Sequence, residues 1–465
     1  MKQVNWTLIT QVYFLGIGGI GMSALARYFL ADGKKVAGYD RTSTPLTDAL
    51  RNEGMEIHFS DDISCIPESF TLSENKDHTL IILTPAIPPH HTELDFFKNK
   101  EYQIVKRSQA LGLITGQHAC FGVAGTHGKT TTSSILAHIL FTAGHNVTAF
   151  LGGISVNYNS NLLLGNSDAP NHEIVVEADE YDRSFLTLFP DAAIITSMDP
   201  DHLDIYGNEE EMQLNYKAFA SQVHPHGFIV QKSGLNLGKI PSRKITYSIQ
   251  DKKADYRGEA IHVKDGNYIF DLVTPAYILN GMTLGLPGRH NVENAVAACA
   301  LAIERGVDLV SLKNALQSYK GVHRRFEYHV RRENLVYIDD YAHHPEELSA
   351  AILSAKELYP GKKIAAAFQP HLFTRTRDFA DGFAKSLSLL DTLYLLEIYP
   401  ARELPIDGID AGIIFDKVSI ADKHRISKED LANHLRKNKP EVFLTLGAGD
   451  IDQLVEPIKI LFEGS

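Results

Sequence analysis

The stretch Phe121–Leu140, FGVAGTHGKTTTSSILAHIL, decides how this chain is read. A short apolar run enters a turn containing Gly125 and Gly128. Lys129 and a run of threonines follow, then a helix pattern with Ile135, Leu136, Ile139 and Leu140 on one face, closed near Gly144. Strand, glycine turn and helix in that order make a phosphate-binding loop, because successive backbone N–H groups ring an anion while the lysine reaches further phosphate oxygens. The strict pattern G-x-x-x-x-G-K-[ST] asks for glycine at position 123, where the chain has Val123. A missing outer glycine alters the entry to the loop and leaves the inner anion nest intact. Gly125, Thr126, His127, Gly128, Lys129, Thr130 and Thr131 are therefore candidates for binding a nucleotide, with the Thr130 hydroxyl a ligand for Mg2+. A glycine turn with a surface lysine is the plainer alternative, and the strand-to-helix setting argues against it.

Outward from this loop, short apolar runs alternate with helical patterns, which reads as βαβ units and mostly parallel sheets. The first series is VYFLG, KKVAGYD and TLIILTPA; the second is ACFGVAGTHGK, HEIVVEADE and DAAIITSMD. NLVYIDDYAHHP, KKIAAAFQP, DTLYLLEIYPARE and EVFLTLGAGD form a third. A chain of 465 residues suggests about three domains, and we place them at 1–115, 116–323 and 324–465.

A second glycine-rich turn lies near the start. VYFLGIGGIGMSALA matches G-x-G-x-x-G through Gly16, Gly18 and Gly21, after a strand and opening a helix, and Asp40 ends the next strand. Such a turn lets the backbone approach a diphosphate at a helix N-terminus, and the acidic residue meets a ribose hydroxyl. Taken alone it points to a dinucleotide enzyme.

A magnesium nucleotide needs carboxylates. In VVEADEYD, Glu177 is the natural ligand, with Asp179, Glu180 and Asp182 as alternates. A solvated acidic loop would be the reading if this segment stood alone. His202, in MDPDHLD, follows another strand.

The formal charge of −12 argues against nucleic-acid or anionic-membrane binding, which need a positive footprint. No apolar run approaches the ~18 residues of a membrane span, and the N-terminal segment lacks a signal-peptide layout. Cys65, Cys120 and Cys299 have no ligand-like spacing; each is expected to be a small buried side chain in a reducing cytoplasm.

Together, GTHGKTTT, EADEYD, DHLD, GRHNVENAVAA and GVHRRFE resemble, in order and approximate spacing, the Mur ligases of peptidoglycan synthesis, over essentially the whole chain. The loop of that family is G-T-x-G-K-[ST], so Val123 is no defect. The resemblance implies a three-domain α/β fold. Its parts are a Rossmann-like N-terminal domain for a UDP-sugar, a central P-loop-type ATPase domain with a mostly parallel sheet, and a Rossmann-like C-terminal domain that closes on ATP and binds an amino acid.

The implied reaction is ATP-dependent joining of L-alanine to the lactyl carboxylate of UDP-N-acetylmuramate through an acyl phosphate, with ATP and Mg2+ as cofactors. GIGGIGM, GVHRRF and TRTRDF lean toward this alanine-adding chemistry. The alternative is the recycling reaction that joins the same sugar nucleotide to an L-Ala-γ-D-Glu-diamino-acid tripeptide. A monomer or weak homodimer with small-molecule substrates is expected.

By the same resemblance, Lys129, Glu177, His202 and Arg325 carry the catalysis, His202 holding a second Mg2+. Asn291 and Asn294 lie by the adenine, Asn291 also opening its helix; Arg325 reaches the ATP phosphates and Asp340 the ribose. Arg324 is a weaker candidate beside it. Gly18, Gly19, Ile20, Gly21 and Asp40 serve the UDP-sugar, with His90 and His91 of the TPAIPPHH loop nearby. Tyr341, His343 and His344 form a loop facing the cleft; the guanidinium fork of an arginine is the expected recognition device for the alanine carboxylate, with Arg375 and Arg377 as the choices. Lys217 sits where several sister ligases carry a carbamylated lysine, a modification said to be absent from the alanine-adding members, so a solvated helix lysine is expected.

Overall fold

The computed structural model describes residues 6–464 apart from 168, 201, 202 and 402, with no side chain described at 7, 203 and 204. Its contacts divide the chain into two compact units. One runs through Arg257 and adds Ala295–Ala315; the other holds Gly258–Asn294 and Leu316 onward.

The first unit opens with β1 (Gln11–Leu15), α1 (Ile20–Ala31), β2 (Lys35–Tyr39), α2 (Pro45–Asn52) and β3 (Glu56–His58). It continues with β4 (Thr79–Leu83), α3 (Thr92–Asn99), β5 (Gln103–Lys106) and α4 (Arg107–Thr115). The sheet order is β3-β2-β1-β4-β5, parallel throughout. Strand β1 is buried along its whole length, as a parallel strand covered on both faces must be. The order reverses between β1 and β4, so their carboxyl ends flank a crevice of the kind that accepts ligands in open α/β sheets.

The same unit continues through β6 (Ala119–Ala124), α5 (Lys129–Thr142), β7 (Val147–Ser155), β8 (Ser160–Leu163) and β9 (Glu173–Glu177). After these come β10 (Ala192–Ile195), α6 (Leu203–Tyr206), α7 (Glu209–Ser221), β11 (Phe228–Lys232) and β12 (Arg243–Ser248). Their order is β12-β11-β10-β6-β9-β7-β8, parallel except for the β7–β8 hairpin. Helix α5 is buried from Thr130 through Leu140, against the expectation of a single apolar face. It packs on β6, β7 and β9, and its polar first half consists of small Thr and Ser side chains that fit an interior position.

A single core extends from Val12, Phe14 and Phe29 to Ile174, Ile195 and Phe219, so the two sheets of this unit share one apolar interior. Helix α1 packs on β7 and β8, with Tyr28 and Phe150 rings 5.5 Å apart. Asn161, fully buried, ties this seam by donating to the Ser23 hydroxyl at 2.9 Å.

Strand β13 (Tyr256–Lys264) leads toward the second unit, where β14 (Asn267–Val273) and β15 (Ile278–Leu284) form an antiparallel hairpin. Helix α8 (Arg289–Glu304) begins at Arg289 rather than at Asn291, and α9 (Leu309–Ser318) follows. The last sheet is built from β16 (Glu327–Arg332), β17 (Leu335–Asp340), β18 (Ile364–Phe368), β19 (Thr392–Leu395), β20 (Lys423–Arg425) and β21 (Val442–Leu446). Helices α10 (Pro345–Leu358), α11 (Phe373–Asp378), α12 (Ala380–Leu387), α13 (Gly412–Phe415), α14 (Lys428–Lys437) and α15 (Val455–Glu463) complete it. The order is β16-β17-β21-β18-β19-β20, parallel except for β16.

Cys120 and Cys299 are buried as expected, but Cys65 is exposed because it ends a short turn after Asp62. Among the described residues no helix is long and apolar enough to cross a membrane.

Candidate active site

Strand β6 is flanked by β9 and β10, and the loop after it emerges between their carboxyl ends. Val123 pairs with Glu177 on one side and Ala124 with Ile195 on the other. Gly125 and Gly128 have φ of 138° and 81°, in the region that favours glycine. At Gly125 a Cβ would overlap the Thr196 hydroxyl, so the turn admits no side chain there. Ser197 Oγ accepts from the His127 N–H at 2.9 Å, and Thr126 Oγ1 donates to the Asp199 carbonyl at 2.7 Å. The loop is thus braced from the β10 side, while Gly128 caps α5 with no side-chain partner of its own. Thr130 and Thr131 lie buried in the first turn of α5, where the helix dipole favours an anion.

Lys129 folds back over this loop. Its Nζ donates to the Gly125 carbonyl at 2.7 Å and lies 2.8 Å from both Glu180 oxygens. Burial opposes the ammonium charge, but Glu180, Asp179 and Glu177 outweigh it and hold the Lys129 pKa above its ordinary value. Burial pushes the Glu180 carboxyl up to about 7, with Lys129 opposing the rise. Glu180, an alternate metal ligand in the sequence reading, here faces Lys129 as its counter-ion.

Glu177 ends β9, half-buried, and accepts from the Gly152 N–H at 3.1 Å. Asp179 faces Arg107 at 3.2 Å and Asp182 faces Lys106 at 3.4 Å, so these two alternates are engaged by cations from the α4 side. His202 lies outside the described residues. Among the described residues no cluster of three or more His, Cys, Asp or Glu could cage a metal ion. Mg2+ binds through one or two carboxylates plus phosphate and water, so the all-oxygen pair of Thr130 and Glu177 fits an ion carried by a nucleotide. Lys217 lies half-buried on α7.

The turn between β1 and α1 places Gly19 at the N-cap with no side-chain cap, and Gly19 and Ile20 are exposed. Asp40, at the end of β2, accepts from the Gly18 N–H at 2.7 Å, so it braces this turn. His90 is exposed. His91 is buried at 3% exposure, edge-on to Tyr39 and 3.1 Å from Asp61, which removes it from the open face expected for it.

Sequence reading missed the buried polar group beneath this end of the sheet. The Tyr13 hydroxyl donates to Glu93 at 2.7 Å and lies 2.7 Å from His58 Nε2. Asp61 accepts from the Thr92 and Glu93 N–H groups at 2.9 and 3.1 Å, capping α3. Burial pushes the Glu93 carboxyl up to about 7. The Tyr13 hydroxyl, in a strand buried along its whole length, was the available signal.

In the second unit, Asn291 donates to the Pro287 carbonyl from within the first turn of α8, and the Asn294 amide lies 3.4 Å from the Asn291 oxygen. Asp340 accepts from Phe326 and Ala342 N–H groups at 2.8 Å each, and burial pushes it up to about 6. The Tyr341 ring carries the guanidinium groups of Arg324 and Arg325, both 5.2 Å from its centroid. The His343 backbone N–H donates to the Glu347 carboxylate at 3.0 Å. His344 does not join the open loop: it is buried as the N-cap of α10, 4.8 Å from the Phe379 ring. The two arginines of α11 lie in different settings. Arg375 is buried, whereas Arg377 is exposed and bonds Asp378 at 2.7 Å, as side chains two apart on a helix point different ways.

Comparison with known proteins accounts for this arrangement. Residues 11–119 match the model described as the Mur ligase family, catalytic domain; 123–302 match the Mur ligase middle domain; 324–449 match the Mur ligase, glutamate ligase domain. A UDP-N-acetylmuramate–L-alanine ligase of Christiangramia forsetii is 49% identical over 99% of this chain and 98% of its own. The crystal structure of the UDP-N-acetylmuramate-alanine ligase of Thermotoga maritima superposes with a TM-score of 0.81 at 28% identity, covering 98% of this chain and 99% of that one. A murein peptide ligase of Psychrobacter arcticus shares the fold at 22% identity, with a TM-score of 0.69 over 98% of this chain and 99% of its own. The chain belongs to the Mur ligase family and has its three-domain, mostly parallel α/β fold.

Proposed function

We propose that this chain is an ATP-dependent ligase that joins L-alanine to the lactyl carboxylate of UDP-N-acetylmuramate, in cytoplasmic peptidoglycan precursor synthesis. The observation that carries this reading is the 49% identity, over nearly the full length, to an enzyme named for that reaction. We assign the UDP-sugar to domain 1–115, ATP to 116–323, and the amino acid and closure onto ATP to 324–465.

In this reading the muramate carboxylate attacks the γ-phosphorus of ATP, ADP leaves, and an acyl phosphate forms. The alanine amine then attacks the acyl carbon, and the tetrahedral intermediate expels phosphate as the amide forms. Several anionic groups must be brought together, so charge neutralisation and alignment carry the rate. Lys129, kept cationic by its acidic neighbours, exchanges its contact with the Gly125 carbonyl for the β/γ oxygens of ATP. The N–H groups from Gly125 to Lys129 take the phosphates, that of His127 by exchanging its bond to Ser197 Oγ. Bound Mg2+ would neutralise phosphoryl charge, held by Thr130 and Glu177, with His202 assigned to a second ion.

Gly18, Gly19, Ile20 and Gly21 receive the sugar diphosphate at the open start of α1, and Asp40 turns from Gly18 toward the ribose or uracil. Asn291 and Asn294 serve the adenine, Arg325 the phosphates and Asp340 the ATP ribose. Tyr341, His343, Arg375 and Arg377 are the candidates for alanine, with buried Arg375 the better placed to hold a carboxylate in a dry site.

The test is phosphate release from Mg-ATP and UDP-N-acetylmuramate with either L-alanine or the L-Ala-γ-D-Glu-diamino-acid tripeptide. Turnover with alanine is expected. Turnover only with the tripeptide would move the chain to the recycling reaction.

A further inference from the structure

We infer that Arg107 is a positioning residue that couples the sugar-nucleotide turn to the ATP loop. This rests on the reading above. Arg107 opens α4, directly after β5, and its guanidinium reaches in two directions. Toward α1, a Cβ built on Gly21 would lie 2.5 Å from Nη1 and 3.3 Å from Cζ. The last glycine of G-x-G-x-x-G ordinarily allows a helix to approach a strand. Here it makes room for an arginine beside the first turn of α1. Toward the second sheet, Nη2 donates to Asp179 at 3.2 Å.

What lies beyond Asp179 gives the contact its meaning. The next residue, Glu180, holds Lys129 at 2.8 Å. The segment that follows, Tyr181–Thr187, is clamped by α4: Thr187 Oγ1 donates to the Ser108 carbonyl at 2.8 Å, and Lys106 faces Asp182 at 3.4 Å. Within it Asp182 and Arg183 have φ of 53° and 56°, a conformation that side-chain-bearing residues adopt only when their surroundings impose it. The order from one anion loop to the other is Gly21, Arg107, Asp179, Glu180, Lys129, and it lies wholly inside one compact unit.

Electrostatics sets the direction. The start of α1 carries partial positive charge, and the guanidinium beside it adds a full one, so an arriving diphosphate attracts Arg107 toward α1. Asp179 then shares its partner, and the balance of charge around Lys129, to which Asp179 contributes, changes with it. Each ligand therefore alters the charge that the other meets, and linkage makes the effect reciprocal.

The test is a double titration. The Kd of Mg2+ with β,γ-methylene-ATP is measured by calorimetry with and without saturating UDP-N-acetylmuramate, in wild type, R107A, R107K and D179N. In wild type the sugar nucleotide should shift the Kd of the ATP analogue about tenfold, within the usual range of coupling. The factor should fall to within about twofold of unity in R107A and D179N and recover in part in R107K. A general packing defect would weaken both ligands without touching the factor. An R107A or D179N protein that keeps the wild-type factor, or a wild type whose factor is one, overturns the inference. Should R107A fail to fold, D179N decides alone, since it leaves the guanidinium in place and cuts its link to the acidic loop. A wild type that binds neither ligand would instead refute the function proposed above.

Discussion

Lys129 is a half-buried cation whose charge is maintained by three neighbouring acids while its amino group is parked on a carbonyl and on Glu180. Its replacement should show what that charge does. Lys129→Ala is expected to lower ATP turnover on the order of 10²–10³-fold or more, as loss of a transition-state charge contact does. Binding of UDP-N-acetylmuramate alone, measured by calorimetry, should stay within about twofold, since less than 1.4 kcal/mol separates affinities that close. Loss of both would mean that the two nucleotide sites have been divided wrongly.

Glu93 gives a second test at this scale. Its carboxyl is fully buried and pushed up to about 7 from an ordinary 4.5, facing Tyr13, His58, Asp61 and Asp62. The folded state therefore holds this proton more tightly than the unfolded chain does. The group's contribution is fully present below about 4.5 and is lost as pH rises to about 7. Glu93→Gln should melt like wild type near pH 4.5 and at a higher temperature than wild type at pH 8, read from melting curves across the range. A melting difference that does not grow with pH would contradict this burial account.

Which residues sequence could and could not place follows from the same physics. Lys129 and the glycines of its loop were legible because loop chemistry fixes their spacing along the chain. The Tyr13–Glu93–His58 group was not, because its members come from separate elements and only the folded sheet brings them together. The same is true of the contact between Lys129 and Glu180.

Among elements, the βαβ pattern was legible in β1, β2, β4, β6, β9, β10, β17, β18, β19 and β21, whose buried apolar runs announce parallel strands. Helix α5 was misread as one-sided because its Thr and Ser residues are polar in composition yet small enough to be buried. The loop before it yields a paired prediction. Val123 is fully buried in β6, so Val123→Gly should lower stability by about 2 kcal/mol or more and leave the ATP KM within a few-fold. Gly125→Ala, at φ 138° and against Thr196, should raise the ATP KM sharply. If Val123→Gly instead tightened ATP binding, the outer glycine would matter to this loop after all.

For the molecule as a whole, the three-part architecture follows from alternation and length, whereas the shared core of the first two sheets does not. Apolar faces of α1, β7 and β8 look alike in sequence whichever partner they cover. That shared interior places the start of α1 and the start of α5 within one compact unit, where a diphosphate and a triphosphate can influence one another. The function proposed for this frame has one central claim, that the muramate carboxylate is activated by phosphorylation before the amine attacks.

The most direct test is oxygen transfer. UDP-N-acetylmuramate carrying 18O in its lactyl carboxylate is incubated with Mg-ATP, L-alanine and the protein, and the released phosphate is analysed by mass. An acyl phosphate passes one carboxylate oxygen to phosphate, so phosphate bearing a single 18O is predicted, together with the alanyl sugar nucleotide. Alanyl product accompanied by unlabelled phosphate would contradict the account.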